Sequence, residues 1–467
     1  MKHFYRLTPI IHEWVDTVIK NKKLLYHIIN SYGSPVHVYS VTPFIDNLIS
    51  FNEMLKKYLQ KSFVFFARKP NHSFIFTKTA IDNGFGIDTA SFNELKQSVD
   101  YNSEANYVYT AAVKEKKAIE LAIKYGKTII LDNEDEINLV STIAKTMNQV
   151  ASVGLRISGF KLVSKTIYSR FGFQLESILK IINKVQVNKC FNLQGFHFHL
   201  NGYDIFERAT AAHQLINIVI KARNIGANIK FIDIGGGFLV NYLRSKKEWG
   251  QFNEALIQAV ENKIEPITYL NHPLHLFNVN GKAVQVGNLY PYFNETNKQI
   301  LLEKILLEKF SGKPLYQLLN ENDIELRIEP GRSALDQSGF TMASVAFRKK
   351  DKFNNWLVGL QMNFTQLLSS SNEFALDPVV LYQNQRRIKN SYFDCVFAGN
   401  YCMERDIILK RIIQLPQLPE INDLILFVNT AGYMSHFLAT RSHLFENPYN
   451  IFINEKNNNI DVDRYRS

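Results

Sequence analysis

Eight short apolar runs, each followed by a helical pattern, most constrain what this chain can fold into. They lie between residues 62 and 329 and read SFVFFA, GFGID, NYVYTAA, KTIILD, ASVGLRIS, LQGFHFHL, IKFIDI and IELRIE. Regular alternation of β-rich runs with helices is typical of a parallel βα architecture, and eight units close into a (β/α)8 barrel. An open doubly wound sheet is the alternative, but it usually has fewer strands and a different glycine fingerprint. We therefore predict an α/β fold with an N-terminal (β/α)8 barrel.

After Arg332 the pattern changes to short alternating runs such as GFTMASVAFRK and DLILFVNTAGY, joined by Asn, Pro and Gly turns. These runs predict a C-terminal β domain. About 90 residues separate Gly237 from Glu329, more than one helix and two loops require. This insertion is either a lid or substrate pocket, or a surface subdomain. The polar tail at 454–467 is predicted to be frayed.

Composition and charge argue against several classes of protein. No stretch of about 18 apolar residues lacks charge, and the start does not resemble a signal peptide, so we predict a cytoplasmic chain with no membrane partner. The net charge of +11 comes from scattered Lys and Arg, and we interpret the basic cluster at 347–352 as a solvated loop, with no nucleic-acid partner. Cys190, Cys395 and Cys402 show no metal-type spacing and cannot pair off evenly, so neither a metal site nor a disulfide framework is predicted.

Ionisable or glycine-rich residues stand at the ends of most of the eight runs. They are Lys69, Asp88, Arg156, His197, His199, Gly235, Gly236, Gly237, Glu329 and Arg332. Each has a structural explanation when taken alone: Lys69 could snorkel, His197 could be a core histidine, and Asp88 could cap the next helix. Together they would converge on one mouth of the barrel, where a purely structural barrel needs few charges. The set therefore predicts a ligand with an anionic group.

The triple glycine in FIDIGGGF narrows the class of ligand. Residues without a Cβ let backbone N–H groups approach an anion closely, and the late loops of a barrel are its usual phosphate site. Alone, a flexible turn would explain the glycines equally well. Together with Lys69 after the first run and EPGR, from Glu329 to Arg332, after the eighth, they predict pyridoxal phosphate, held between an amine and a carboxylate.

Seven ordered motifs resemble those of one enzyme family. FFARKPN, GIDTASFNEL, GFHFHLNGYD, FIDIGGGF, EPGRSAL, YCMERDIIL and NTAGYMSHF look like the motifs of the alanine-racemase-fold (fold-type III) pyridoxal-phosphate decarboxylases, which include diaminopimelate and ornithine decarboxylases. The resemblance spans about residues 33–437 and is closest to a little-characterised branch. It implies decarboxylation of a diaminopimelate-type or other diamino or conjugated amino acid, with lysine biosynthesis as one pathway.

The resemblance also implies roles for individual residues. Lys69 would form the Schiff base with the cofactor, His199 would stack on its ring, and Glu329 would pair with the pyridine nitrogen. The glycine run and the Tyr433 hydroxyl would bind the phosphate, and Arg332 would meet either the phosphate or a substrate carboxylate. The implied cofactor-binding set is Lys69, Asp88, Arg156, His199, Gly235, Gly236, Gly237, Glu329, Gly331, Arg332 and Tyr433.

Glu329 also bears on the type of reaction. A carboxylate at the ring nitrogen keeps that nitrogen protonated and makes the ring a stronger electron sink, whereas racemases of this fold are known for an arginine there. Cys402 matches the family's cysteine that reaches the site from the partner subunit as proton donor, so a homodimer with shared active sites is implied. The alternatives are an amino-acid racemase of the same fold and a non-catalytic pyridoxal-phosphate-binding homologue.

The chain departs from the family pattern at two places. Met403 follows Cys402 where a glutamate is usual, and the acid comes next as Glu404, while Asp406 keeps its spacing. With Arg332, these two acids are the predicted substrate-binding residues. Gly202 stands where a serine is often found, three residues after His199, so hydrogen bonding around the cofactor must be rearranged.

Domain boundaries follow from the runs and the resemblance together. The barrel is predicted at 42–333 with an insertion at about 240–320. The β domain is predicted at 1–41 and 334–467, because the early run PVHVYS would join it. This discontinuous domain would complete the site and the dimer interface.

Overall fold

The computed structural model describes residues 5–163, 165–287, 289–369, 374–385, 392–455 and 459–463. The α-helices of this part of the chain are α1 (Glu13–Lys20), α2 (Lys22–Tyr32), α3 (Thr42–Tyr58), α4 (Phe74–Asp82), α5 (Phe92–Tyr101), α6 (Lys116–Lys124), α7 (Glu134–Met147), α8 (Ile178–Gln186), α9 (Ile205–Asn224), α10 (Lys246–Val260), α11 (Lys298–Leu307) and α12 (Leu315–Glu321). Within the same ranges, none of these helices combines the length and the hydropathy that a membrane-spanning segment needs.

Strands β1 to β14 lie mostly in the region of the eight predicted runs. These strands are β1 (Val36–Tyr39), β2 (Ser62–Ala67), β3 (Gly86–Thr89), β4 (Tyr107–Tyr109), β5 (Thr128–Leu131), β6 (Ala151–Ser158), β7 (Phe173–Gln174), β8 (Phe191–His197), β9 (Phe231–Asp233), β10 (Leu276–Val279), β11 (Lys282–Gln285), β12 (Lys309–Phe310), β13 (Lys313–Pro314) and β14 (Glu325–Ile328). The remaining strands are β15 (Gly339–Lys350), β16 (Trp356–Leu360), β17 (Val379–Leu381), β18 (Phe393–Ala398), β19 (Ile407–Leu415), β20 (Leu424–Val428), β21 (Tyr449–Ile453) and β22 (Ile460–Val462).

Eight parallel strands close into a barrel within one of the two compact units of the chain, Phe44–Leu239 with Thr296–Ala334. Their order is β5, β4, β3, β2, β14, β9, β8 and β6, and pairing of β5 with β6 closes the ring. Each predicted run contributes one of these strands. The (β/α)8 barrel is therefore confirmed.

Phenylalanine rings fill the inside of the barrel. Phe65 and Phe231 cluster with Val108 and Ile130, which come from strands on different sides of the ring and so meet across its interior. Strand glycines make room for these rings: a Cβ on Gly86 would lie 2.4 Å from the Phe65 ring, and one on Gly195 would lie 2.5 Å from the Phe231 ring. The barrel interior is thus a packed apolar core, which leaves polar chemistry to its ends.

The helices around the barrel follow the predicted amphipathic pattern. In α6 the buried residues are Ala118, Ile119, Ala122 and Ile123, spaced one helical turn apart. The chain leaves this helix at Gly126, whose φ of +64° is a conformation that glycine adopts without steric cost.

The second unit, Met1–Pro43 with Val240–Glu295 and Leu335–Ser467, is built on a large sheet. The strand order is β19, β18, β16, β15, β1, β21 and β22, with β20 pairing both β15 and β17. Strand β1 comes from the early run PVHVYS and lies antiparallel to β15 and parallel to β21. The C-terminal β domain and the early strand's place in its sheet are both confirmed.

The long segment after β9 divides between the two units. Residues 240–295, with α10 and the β10–β11 hairpin, belong to the sheet-containing unit, while α11 and α12 belong to the barrel unit. Within the sheet-containing unit the segment is tied down by two contacts. The Glu248 carboxylate accepts from Thr8 N and Oγ1 at 2.8 and 2.9 Å, and Thr268 forms an antiparallel bridge with Arg411.

The prediction of a frayed tail is wrong for part of its length. Residues 460–462 form β22, which lies antiparallel to β21. Ile460 and Val462, two residues apart, pack against the core of the sheet-containing unit, and this burial is what orders the strand. Residues 456–458 and 464–467 of the tail lie outside the described residues.

Candidate active site

Lys69 lies in the turn that follows β2, and the residue before it anchors that turn. Arg68 is 2% exposed, donates to the Glu94 carbonyl oxygen at 3.0 Å, and lies over the Phe74 ring. Lys69 itself is exposed at the end of the barrel. The buried guanidinium therefore fixes the turn while the neighbouring amine stays accessible.

The loop carrying EPGR contacts this turn directly. The Ala67 N–H donates to the Pro330 carbonyl oxygen at 3.2 Å, and a Cβ on Gly331 would lie 2.7 Å from Pro70 Cγ. A side chain at position 331 would push the two loops apart. The structure thus brings the first and the eighth strand ends together, as the barrel predicts.

Three ionisable side chains from neighbouring strands form a buried cluster beside these loops. His197 ends β8, Asp233 ends β9 opposite it, and Glu329 follows β14. His197 Nε2 lies 3.5 Å from Glu329 Oε1, and one ligand atom from each of the three lies within 4.8 Å of the others. All three are nearly inaccessible to solvent, with at most 5% of any residue exposed. We call His197, Asp233 and Glu329 the acid cluster.

Burial and mutual repulsion shift the pKa values of the side chains in the acid cluster. Burial raises the pKa of Glu329 to about 7, and burial together with the neighbouring Glu329 raises the pKa of Asp233 to about 7. Burial lowers the pKa of His197 to about 3, so this imidazole is neutral near pH 7. Burial and Glu329 also raise the pKa of Asp88. Buried carboxyl groups that resist ionisation in this way are expected to be stabilised by a cation placed beside them.

The triple glycine forms a loop against the acid cluster and His199. Gly235 and Gly237 have φ of +66° and +84°, and a Cβ on Gly236 would lie 2.4 Å from the Glu329 carbonyl oxygen. The Gly236 N–H points at His199 Nδ1, 3.3 Å away. Because side chains would collide with His199 and with the Glu329 backbone, only glycine fits this loop.

Asp88 and Arg156 flank the cluster with partners of their own. Asp88 Oδ1 accepts from Thr110 Oγ1 at 2.5 Å. It does not cap the next helix, because the Ser91 side chain caps α5. Arg156 Nε lies 3.9 Å from Asp132 Oδ1, and its guanidinium lies 4.2 Å from the centre of the Phe171 ring. The charge of Arg156 lowers the pKa of Glu329 against the effect of burial, so the two lie in one electrostatic environment.

Arg332 lies in the barrel unit, whereas four other predicted residues lie in the sheet-containing unit. Cys402 and Glu404 are exposed, and Tyr433 is half-buried with its ring 5.5 Å from that of Phe437. Asp406 is buried, and its two carboxylate oxygens accept from the Phe364 and Tyr401 amides at 2.7 and 2.6 Å. Those bonds are enough to explain Asp406 as an organiser of its own loop. The parts these four residues play at the barrel site stay predictions.

Asp233 and the buried pair Lys114–Glu136 were not predicted from the sequence. Lys114 Nζ lies 2.8 Å from Glu136 Oε2, with at most 8% of either side chain exposed. Asp233 could have been found, because it ends a strand two residues before the glycine loop, as the strand-end criterion requires. The pair Lys114–Glu136 has no local signal, since its members lie 22 residues apart.

The spacing of the acid cluster would also suit a metal ion, a possibility that the cysteine pattern did not raise. Its ligand atoms belong to residues that also contact the glycine loop: Asp233 Oδ1 accepts from the Gly235 N–H at 2.9 Å, and the Glu329 N–H donates to the Gly235 carbonyl oxygen. A glycine loop joined to a buried carboxylate is better suited to an organic phosphate with a cationic ring than to a bare cation.

Residues 46–273 match the family described as "Pyridoxal-dependent decarboxylase, pyridoxal binding domain". The barrel region of the chain therefore belongs to the fold-type III pyridoxal-phosphate-dependent decarboxylase family. These enzymes are amino-acid carboxy-lyases that use pyridoxal phosphate. Membership of this family agrees with the barrel, the exposed lysine and the glycine loop.

Similar proteins extend over nearly the whole chain. A diaminopimelate decarboxylase of Campylobacter jejuni is 23% identical over 429 residues, 89% of this chain and 90% of that protein. The uncharacterized protein y4yA of Sinorhizobium fredii is 24% identical over 444 residues, 94% of this chain and 92% of that one. The structure of diaminopimelate decarboxylase from M. jannaschii in complex with L-lysine has a TM-score of 0.71 at 18% identity, covering 94% of this chain and 91% of that one.

The described residues of this decarboxylase fit the cofactor. Glu329 Oε1 is buried and has no hydrogen-bond partner in the described part of the chain, so it can accept a proton-bearing ring nitrogen. The glycine loop leaves a cradle that side chains would fill. One end of the site therefore suits a cation and the other an anion, which matches a phosphorylated pyridine.

Proposed function

We propose that this decarboxylase acts on an amino acid whose side chain ends in a second amine or another polar group, of diaminopimelate or another diamino or conjugated type. The observation that carries the proposal is the convergence of Lys69, the glycine loop and the buried carboxyl of Glu329 at one end of the barrel. The similarity of this chain to the C. jejuni diaminopimelate decarboxylase, and to the M. jannaschii structure in complex with L-lysine, supports a substrate with two polar ends.

In this proposal the barrel residues bind and orient. Lys69 binds the aldehyde of the cofactor through Nζ, which its exposed position allows. His199 offers its ring for stacking, and burial, together with the cations Arg208, Arg156 and Lys69, lowers its pKa and keeps it neutral. The glycine loop, with Gly331 and Arg332, binds the phosphate, and Tyr433 of the sheet-containing unit is the further phosphate ligand that the resemblance implies.

Glu329 holds a proton at the ring nitrogen. When bound, pyridoxal phosphate supplies an electron sink for the pair left on Cα as CO2 departs. A carboxylate buried beside Asp233 and His197 gains most from a cation at this point, because burial opposes its ionisation otherwise. The site thereby favours decarboxylation over racemisation, for which the fold is known to place an arginine at this position.

A proton must reach Cα after CO2 has left. We assign this step to the Cys402 thiol, which is exposed in the single chain and so is available to a second copy. A homodimer would then contribute Cys402 from one subunit and Lys69 from the other. Glu404 and Asp406 would face the distal end of the substrate, with Glu404 the more available of the two, because Asp406 already accepts two backbone amides.

The test is a CO2-release screen with meso-diaminopimelate, ornithine, lysine, arginine and carboxylated diamines, in the presence of pyridoxal phosphate. We expect release from one of them and none from the Lys69→Ala variant. Deuterium exchange at Cα without CO2 release would instead support the racemase. Neither CO2 nor exchange from any substrate, despite cofactor binding, would indicate a non-catalytic homologue.

A further inference from the structure

Arg208, in the first turn of α9, is a buried cation without a neighbouring acid. It is 0% exposed, and in the described part of the chain no carboxylate lies within 4 Å of its guanidinium. Two other buried cations have an acid beside them: Lys114 meets Glu136 at 2.8 Å and Arg411 meets Asp377 at 2.7 Å. Since an unpaired buried charge is costly, an anion from outside the protein is the expected partner.

The guanidinium lies directly under the glycine loop. One of its NH2 groups donates to the Gly236 carbonyl oxygen, and the other donates to the Gly202 carbonyl oxygen at 3.2 Å. A Cβ on Gly237 would lie 2.7 Å from Arg208 Nη2. Its Nε is buried and has no acceptor in the described ranges. Arg208 therefore touches both the loop and the position where the family often has a serine.

These bonds determine where the loop amides point. The Gly236 carbonyl and the Gly237 N–H belong to one trans peptide, so they face opposite ways. Because Arg208 takes the carbonyl, the Gly237 N–H is directed to the other side of the loop. Neither this N–H nor that of Phe238 donates to any acceptor in the residues described. The loop thus presents amides on one side and is held by a cation on the other.

A second cation lies near the same place. Burial raises the pKa of Tyr203, the residue after Gly202, and the charges of Arg332 and Arg208 oppose that rise, so both arginines contribute positive potential here. The acids of the site, by contrast, gather around Glu329. The loop therefore has a cationic side, and the acid cluster is the anionic side.

We propose that Arg208 is a positioning residue for the phosphate of the cofactor, holding the glycine loop in its anion-binding form and supplying the positive charge behind it. It would compensate for the hydroxyl that is missing at Gly202. The inference rests on the proposed function, since it requires a phosphorylated ligand. The ligand class is a phosphate monoester dianion, which attracts a buried guanidinium strongly.

The test separates the phosphate from the rest of the cofactor. Dissociation constants for pyridoxal phosphate and for pyridoxal are measured by absorbance titration on the wild type, Arg208→Met and Arg223→Met. Arg223 is the matched control, because it lies on the same helix and also donates to backbone carbonyl oxygens, at Ile229 and Asn322. We expect Arg208→Met to weaken pyridoxal phosphate roughly 10- to 100-fold, as for a lost charge-assisted hydrogen bond, and pyridoxal by less than about threefold. Arg223→Met should leave the ratio of the two constants unchanged.

Arg208→Lys is a second variant that tests the inference even if the methionine variant does not fold. It keeps the charge but loses the forked contact, so its preference for the phosphorylated ligand should fall between those of the wild type and Arg208→Met. A second readout is the ³¹P shift of the bound phosphate. We expect no change with pH in the wild type, and titration near the usual second pKa of about 6 in the methionine variant.

Three results would overturn the inference: no change in either constant, an equal loss for both ligands, or a ³¹P shift that stays independent of pH in Arg208→Met. If Arg208→Met does not fold, a Lys variant with an unchanged preference and an unchanged shift would overturn it as well. Failure of the proposed function looks different, because the wild type would then release no CO2 from any substrate of the screen while still binding pyridoxal phosphate more tightly than pyridoxal.

Discussion

The two ends of the barrel differ in whether their ionisable side chains are exposed or buried. At the amino end, Lys61 and Asp323 form a pair whose side chains are more than half exposed. At the carboxyl end, Glu329 and His197 are almost completely buried. Strand β14 shows the contrast within a few residues, because Glu325 at its start pairs with Arg327 and stays partly exposed. Exposed pairs contribute about 0–1 kcal/mol, whereas a buried ionised group costs several kcal/mol, so charge at the carboxyl end opposes stability and requires a functional explanation.

The largest effect is expected at Lys69. Lys69→Ala should abolish the visible absorbance band of the bound cofactor and lower the rate of CO2 release by about three orders of magnitude or more, because the covalent attachment is lost. Lys61→Ala, at the other end of β2, is the control and should keep both band and rate. If Lys69→Ala kept the absorbance band, the cofactor would not be attached through Lys69, and the functional contrast between the two ends of the barrel would not hold.

The next largest effect is expected at Glu329. Glu329→Gln keeps the shape of the side chain but cannot hold a proton at the ring nitrogen, so the rate should fall about 100-fold or more while the cofactor still binds. Glu325→Gln at the start of the same strand should change the rate less than about threefold. Equal losses in the two variants would show that the carboxyl end is not special. Loss of activity on adding a chelator would instead favour a metal at the acid cluster.

A smaller effect is expected in the glycine loop. In Gly236→Ala the added Cβ would meet the Glu329 carbonyl oxygen at 2.4 Å, which must shift the loop. We expect roughly 10- to 100-fold weaker pyridoxal phosphate binding, corresponding to an overpacking cost of about 1–3 kcal/mol. Gly250→Ala, in α10, would meet no atom within 4 Å and involves no positive φ, so it should leave binding intact. If titration gave the two variants equal affinities for pyridoxal phosphate, the glycine loop would not be part of the phosphate site.

The smallest effect is a pH dependence of stability in the cofactor-free protein. The pKa of Glu329 is raised from 4.5 in the unfolded chain to about 7 in the fold, so the stability it contributes is fully present below pH 4.5 and is lost as the pH rises through 7. Glu329→Gln removes this loss. The variant should therefore gain stability over the wild type between pH 5 and pH 8, by roughly 2–3 kcal/mol at most.

Comparing the variant with the wild type removes the opposite contributions of the buried histidines, whose pKa values are lowered and which therefore destabilise the fold as the pH falls. The measurement is the melting temperature of both proteins at the two pH values. A difference between them that does not change with pH would show that Glu329 is ionised in the cofactor-free fold.

Much of the barrel end could be read from the sequence because parallel strands carry their last residues to the same place. Lys69, Asp88 and Glu329 follow this rule, since each stands at the end of an apolar run that forms a strand. The place of the early run PVHVYS in the β domain was likewise predicted, from the resemblance.

The features that could not be predicted from the sequence depend on contacts between residues that are distant in the chain. Arg208 sits on a helix whose buried face is otherwise mainly apolar, and only the fold reveals that it contacts Gly236 and Gly202. Residues 240–295 belong with the sheet-containing unit because of contacts such as Thr8 with Glu248, 240 positions apart. The tail strand β22 depends in the same way on a core that local polarity does not predict.

The most direct test of the central claim is to find the lysine that carries the cofactor. The wild-type protein is loaded with pyridoxal phosphate, reduced with borohydride, digested and mapped by mass spectrometry. We expect one pyridoxyl group per chain, on Lys69 in the peptide containing FFARKPN. Labelling of Lys61, of Lys114 or of no single lysine would contradict it.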